Sequence, residues 1–309
     1  MSGRQVGIYG FRFFPTIALK VTVKCHLSCP FCCEPSRDKP NHSAEEFCTI
    51  ISRLASAGTH RLCVTGGEPL LYPDLGQLLS HAKKHDLQTV LLTADGRALL
   101  KHCDYLQFAD VLRISIHGPD SIHDAIVGRR GALKEIEESI SKIGYKTTTI
   151  AVTTVITPLT ISHACHVAEW CCNNGISKYY LFGVMPSGMG HHFIRKYGRV
   201  SEEDFNDLVT KLGGDYSSRG LTIVPHPYTH NAECILVYGD GTVMIDPYHQ
   251  APPFQRRIGN ILTDSPEEIL THIAEDRQSW EGCLERFSRS SIVPKYANGM
   301  SNNWMETDE

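Results

Sequence analysis

Residues 17–33 read Ile17-Ala18-Leu19-Lys20-Val21-Thr22-Val23 and then Lys24-Cys25-His26-Leu27-Ser28-Cys29-Pro30-Phe31-Cys32-Cys33. The first seven are rich in β-branched and aliphatic residues and predict a strand. Pro30 argues for a loop over a helix in the cysteine-bearing stretch. The same strand-then-loop pattern returns at Arg61–Thr65, which runs into Gly66-Gly67-Glu68-Pro69-Leu70. Further strands are predicted at Thr89–Thr93, Val111–Ile116, Thr148–Ile156 and Lys178–Val184. Helices are predicted between them, at Ala44–Ala57, Leu75–Lys84, Ala98–Leu106, Leu133–Ile143 and His163–Asn173. Ser43 and Asp74 stand where an N-cap side chain accepts from the free amides of a first turn. Alternation of this kind implies a parallel sheet with helices packed on it. Six units fall short of an eight-unit barrel, so the α/β class narrows to an open or partial barrel.

Composition removes several function classes. The chain has 309 residues, 41% hydrophobic and 21% charged, with a net charge of −4. That balance fits a folded globular protein and offers no basic surface for nucleic acid or anionic lipid. No apolar run approaches the roughly 20 residues that span a bilayer, and the opening residues lack a signal-peptide pattern. A cytoplasmic setting with reduced thiols is the expectation, with neither nucleic acid nor membrane as partner. Twelve cysteines are too sparse for a disulfide scaffold and more than packing requires.

Three of those thiols carry the first chemical signal. Cys25, Cys29 and Cys32 stand four and three residues apart on the loop after the first strand. Thiolates are the usual ligands of iron–sulfur clusters, four to a cubane, and three from one loop would leave one iron open. Structural zinc is a second reading, although no further C-x-x-C pair exists for it. A redox pair, Cys29 and Cys32, is a third, and it leaves Cys25 unexplained. The Gly66-Gly67 pair closes a strand at the end of a parallel sheet where ligands bind, and Glu68 adds a carboxylate beside exposed amides. With side chains alternating along a strand, Arg113, Ser115 and His117 share one face.

C-x-x-x-C-x-x-C after the first strand and G-G-E-P after the second together resemble the radical S-adenosylmethionine (SAM) superfamily. The resemblance covers residues 15–190 and implies a partial (β/α)6 barrel with one site-differentiated [4Fe–4S] cluster on Cys25, Cys29 and Cys32. S-Adenosyl-L-methionine would chelate the open iron and, on reduction, yield a 5′-deoxyadenosyl radical that removes a substrate hydrogen atom. The resemblance further implies that Phe31 lies by the adenine and that Gly66, Gly67, Glu68 and Pro69 receive the methionine end. It assigns Ser115 and Met185 to cofactor contacts as well. Arg113, His117 and Asp95 are substrate candidates, with Thr93 beside them. An external one-electron reductant of flavodoxin or ferredoxin type would feed the cluster.

After residue 190 the pattern changes. Pro186–Gly190 reads as a loop, His191-His192 as solvated, Glu202–Leu212 as a helix, and Cys234–Tyr238 with Thr242–Ile245 as a hairpin turned on Asp240-Gly241. A last helix is expected at Pro266–Glu275. The division is an N-terminal segment 1–14, a core 15–190, a small α+β extension 191–296 and a polar tail 297–309. The extension resembles the SPASM or twitch domains that hold further clusters, but Ile245-Asp246-Pro247 stands where those place a cysteine. Cys234 and Cys283 alone remain there, with His226, His230 and His249 nearby, so a single cluster is expected. Cys234 and Cys283 are candidate hydrogen-atom donors or simple packing residues. The motifs are nearest the molybdopterin-pathway GTP cyclase group. Ala18 and Cys63 replace arginines that the group uses, which implies a different activity. Only 24 residues precede Cys25, which argues against a peptide maturase with a leader-binding domain. A small-molecule substrate of sugar, aminocyclitol or nucleoside type is the expectation. Zinc with a partner-binding extension is the non-enzymatic alternative.

Overall fold

A computed structural model describes residues 16–34, 40–143, 148–226, 233–247 and 256–273. Its strands are β1 (Thr16–Thr22), β2 (Arg61–Gly66), β3 (Gln88–Thr93), β4 (Val111–Ser115), β5 (Thr149–Ile156), β6 (Lys178–Gly183), β7 (Thr222–His226), β8 (Glu233–Tyr238), β9 (Thr242–Pro247) and β10 (Arg256–Asn260). They form one sheet in the order β10-β9-β8-β1-β2-β3-β4-β5-β6-β7. β1 to β7 run parallel, β8 joins β1 in parallel, and β9 and β10 continue the sheet as antiparallel neighbours.

The six strands expected from the sequence are those observed, each within a residue at either end. The helices are α1 (Ala44–Ser56), α2 (Leu75–Lys84), α3 (Gly96–Lys101), α4 (Asp120–Val127), α5 (Ala132–Ile143), α6 (Ala164–Asn173), α7 (Met189–Tyr197) and α8 (Glu202–Tyr216). α1 shows why such segments are helical. Ser43 and Glu46 form a reciprocal capping box, and Phe47, Ile50, Ile51 and Leu54 place a buried stripe on one face. That stripe packs with Ile17, Leu19 and Val21 of β1 in the main core. Each side chain of this size contributes about 1.5–3 kcal/mol on full burial. Asp74 precedes α2, but its side chain makes no capping hydrogen bond.

Four elements were not expected. α4 falls where the sequence analysis assigns no element, α7 begins within a presumed loop, and His191-His192 is exposed on a helix instead of a loop. β7 contains Pro225, which is tolerated because β7 ends the sheet and one side of it needs no partner. β10 completes the other edge. The hairpin forms as expected, with Gly241 at φ +80°, and a helix covers 266–273.

The sheet curls. β1 and β6 are five positions apart, which in a flat sheet would separate them by about 24 Å. Yet the Met189 amide donates to the Cys32 carbonyl at 2.8 Å, joining the loops that leave these two strands. The apolar side chains of alternate positions face the helices, and the remaining positions face inward. Ala18, Lys20, Arg113, Ser115, Thr153, Tyr180 and Phe182 lie on that inner face. Among the described residues no helix is long and apolar enough to cross a membrane.

Candidate functional site

The cysteine loop is fixed at several points around the barrel mouth. The Ser28 amide donates to the Val127 carbonyl at the end of α4, at 2.9 Å. The Leu27 amide approaches the Cys25 sulfur at 3.4 Å, and the Cys32 amide donates to the Cys29 carbonyl at 3.2 Å. Cys25, Cys29 and Cys32 are all reduced and partly exposed. Cys29 packs between two small apolar clusters, Phe31–Ile126–Val184–Phe193 and Leu27–Val127–Ala132. Among the described residues, no three His, Cys, Asp or Glu side chains are placed to hold a single metal ion. Three thiols on one loop suit a polynuclear group with a position left open.

The second motif is welded to the first. The Gly67 amide donates to Thr22 O and the Glu68 amide to Lys24 O, both at 2.8 Å. A Cβ on Gly66 would lie 2.1 Å from Thr22 O, and one on Gly67 would lie 2.4 Å from Lys24 O. Gly66 also has φ +152°, where a side chain is strained. These glycines thus permit one loop to approach the other.

Glu68 faces the protein. It is 1% exposed, and its carboxylate accepts from the Thr93 hydroxyl at 2.9 Å and from the Leu70 and Ala94 amides, both at 3.1 Å. Burial pushes its carboxyl up to about 7, against the pull of those donors. Pro69 opens a short 3₁₀ turn and is buried. Asp95 is fully buried, caps α3 through the Ala98 amide at 3.2 Å, and pairs with Arg129 at 2.9 Å. His26 of the cysteine loop reaches the same carboxylate at 3.3 Å, and Arg129 continues to Glu135 at 2.6 Å. Asp95 therefore links the cysteine loop to α3 and α5 through side chains already engaged. In the sequence Asp95 reads either as a substrate contact or as part of a turn before a helix, and here it caps that helix.

Phe31 is buried and meets His117 edge-on at 5.2 Å and Phe193 at 5.7 Å. His117 is 3% exposed, and its amide donates to His123 Nδ1 at 3.2 Å. The two rings lie nearly parallel, 5.9 Å apart. Burial pushes His117 down to about 3 and His123 down to about 4, so both are neutral near pH 7. Ser115 pairs across to Thr153 on β5. Met185 lies just beyond β6, half-buried, where its carbonyl lies against Gly190. Gly188, at φ +55°, starts α7 with no room for a side chain beside the carbonyls of Cys32 and Cys33.

Arg113 points across the lumen, its guanidinium 3.9 Å from the centre of the Tyr180 ring. Cys234 takes its place on β8 opposite Asp246, and Cys283 lies outside the described residues, as do His230 and His249. His226 ends β7, stacked 4.4 Å from Phe182. Sequence reasoning misses Lys20, which pairs with Glu34 at 3.0 Å and lies over Tyr238 at 5.2 Å. Burial alone would lower its ammonium, but Glu34, Tyr238 and Cys33 hold it well above its ordinary value. A lysine within an otherwise apolar strand is the available signal. Thr153, Tyr180 and Phe182 are missed as well, though the period-two alternation of β5 and β6 implies an inward face.

Residues 19–171 match the Radical SAM superfamily. A sequence relative is the probable GTP 3′,8-cyclase of Methanococcus maripaludis, 26% identical over 193 residues. That match covers 60% of this chain and 65% of the relative, just under two thirds of its length. The sporulation killing factor maturation protein SkfB of Bacillus subtilis is 29% identical over 167 residues, 51% of this chain and 39% of that protein. Among solved structures, anSMEcpe with bound AdoMet and Kp18Cys peptide superposes with a TM-score of 0.64 at 17% identity. It covers 82% of this chain and 79% of that one.

Proposed function

Because the chain carries a radical SAM domain, we propose that it is an enzyme that cleaves S-adenosylmethionine reductively and abstracts a hydrogen atom from a small polar substrate. The observation that carries this is the joining of Gly67 and Glu68 to Thr22 and Lys24, the residues that lead from β1 into the cysteine loop, by two backbone hydrogen bonds at one end of a curled parallel sheet. Cys25, Cys29 and Cys32 would hold the [4Fe–4S] cluster. When both are bound, the reduced cluster would pass one electron to the sulfonium of S-adenosylmethionine, whose C5′–S bond would break to methionine and a 5′-deoxyadenosyl radical able to take the substrate hydrogen. The electron comes from an external reductant of flavodoxin or ferredoxin type.

The chain's own residues supply the setting. Phe31 and Ser115 would flank the cofactor, Gly66 and Gly67 would face its methionine end, and Met185, just beyond β6, would border it. Glu68 acts by tying the β2 loop to the β3 loop through Thr93 and Ala94. His117, buried and neutral behind Phe31, holds that ring edge-on. Lys20, Arg113 and Tyr180 give the lumen a polar and aromatic lining suited to a sugar, aminocyclitol or nucleoside. Epimerisation, dehydrogenation and decarboxylation are the outcomes considered, in natural-product biosynthesis. In an epimerase, Cys234 and Cys283 are the thiols to return the hydrogen atom.

A peptide-maturing role is the second reading, favoured by the similarity to SkfB and to a solved structure that holds a peptide. The test is anaerobic reconstitution, reduction with dithionite and addition of S-adenosylmethionine. The reading expects 5′-deoxyadenosine from the wild type and none from Cys25→Ala, Cys29→Ala or Cys32→Ala. Its absence from the wild type would refute the reading. Deuterium entering 5′-deoxyadenosine from a labelled sugar or nucleoside supports the small-substrate reading, and entry only from a labelled peptide supports the other.

A further inference from the structure

Two polar groups inside the barrel each carry a buried atom with no hydrogen-bond partner among the described residues. Arg113 projects inward from β4, and its cation lies over the Tyr180 ring of β6. It reaches that ring across β5 because Ala151, its register partner, leaves the intervening space open. Its Nε is buried without a hydrogen-bond partner, and among the described residues no carboxylate pairs with it. A guanidinium stays charged at any pH the protein meets, so this cation cannot neutralise itself. Beside it, one layer nearer the mouth, Thr153 pairs with Ser115 on one side and Tyr180 on the other. The Thr153 hydroxyl is likewise buried without a partner among the described residues.

Leaving such groups unsatisfied is costly, and two neighbouring cases on one face point to a partner that the chain does not supply. Lys20 shows the contrast. It shares the inner face and is also largely buried, but Glu34 neutralises it within the chain.

We propose that Arg113 and Thr153 form a subsite for an oxyanion of the substrate, a phosphate or a carboxylate, with Tyr180 as its aromatic wall. This rests on the reading that the lumen holds the substrate and deepens it by adding a charge. The guanidinium fork donates in parallel to two oxygens of such a group, and a hydroxyl donor adds a third contact. The cation–π contact with Tyr180 keeps the fork oriented before the ligand arrives. The substrate's anionic end is thereby held at the level of Ser115 and one layer below it, leaving its other end toward the cysteine loop.

The test uses the full chain, purified anaerobically, with thermal unfolding followed against inorganic phosphate and, separately, acetate. Sodium chloride at matched ionic strength is the control. The midpoint of the wild type is expected to rise with one anion, and that anion identifies the chemistry. The concentration for half the effect should increase at least about tenfold in Arg113→Gln and about threefold in Thr153→Val. Arg113→Lys, which keeps the charge and loses the fork, should fall between. If Arg113→Gln does not fold, Arg113→Lys and Thr153→Val decide the matter. A midpoint that responds to neither anion, or equally in wild type and variants, overturns the subsite. 5′-Deoxyadenosine formation by the wild type is measured alongside. An anion response without it upholds the subsite and sinks the radical reading, and the converse result sinks the subsite alone.

Discussion

At the rim of the barrel, Glu68 and Asp95 are buried and each is met by three protein groups. Deeper in the lumen, Arg113 and Thr153 are half-buried, and each keeps a buried polar atom that no described residue satisfies. Both regions belong to the same parallel sheet, the rim following β2 and β3 and the lumen pair lying within β4 and β5. The rim uses its polar side chains to hold loops in register, while the lumen, on the reading proposed above, keeps two of its own for a ligand. Burial of a polar group therefore does not by itself mark function. What separates the two is whether the chain completes the hydrogen bonds.

The rim should suffer most from substitution. Asp95→Ala removes the partner of Arg129 and the tether of His26, leaving Glu135 as the remaining neighbour. Urea unfolding is expected to show a loss of about 3 kcal/mol, the lower end for breaking a buried pair. Iron retention after reconstitution should fall in parallel, since the cysteine loop loses its anchor. A variant as stable as wild type would erase the distinction drawn for the rim.

The boundary between the regions is tested by pH. Burial holds His117 and His123 below their ordinary value of 6.5, at about 3 and about 4. The unfolded chain takes up these protons near pH 6.5, and the folded chain does so only near 3–4. Stability should therefore fall as pH drops from 6.5 toward 4, by up to about 1.4 kcal/mol per pH unit for each ring. The two are neighbours, so the sum will be smaller than twice that. His117→Leu should flatten the slope between pH 6.5 and 5, and an unchanged slope would place the proton uptake elsewhere.

The lumen gives the smallest effect. In the absence of ligand, Thr153→Val removes an unsatisfied hydroxyl at nearly constant volume. Stability is expected to stay level or rise by up to about 1 kcal/mol. A loss of 2 kcal/mol or more would show that the hydroxyl has a partner within the protein.

Strands β1–β6 and the cysteine loop are plain in the sequence because each is a local pattern, either a run of β-branched residues or a fixed spacing of thiols. β7 is hidden by Pro225, whose cost vanishes only at a sheet edge, and edge position is a long-range property. α7 is hidden by Gly188, which reads as loop punctuation but whose positive φ starts the helix beside Cys32 and Cys33. Glu68 and Asp95 are recognisable as important, but not the direction they face. That direction depends on Thr93, Ala94, His26 and Arg129, which only the fold brings to them.

On the proposed function, the one three-cysteine loop holds a single cluster whose open iron is available to S-adenosylmethionine. The most direct measurement is electron paramagnetic resonance of the reconstituted, dithionite-reduced protein, with iron counted on the same sample. The account predicts about four iron atoms per chain and a reduced-cluster signal that shifts when S-adenosylmethionine is added. About eight iron atoms, or a signal indifferent to S-adenosylmethionine, would contradict it.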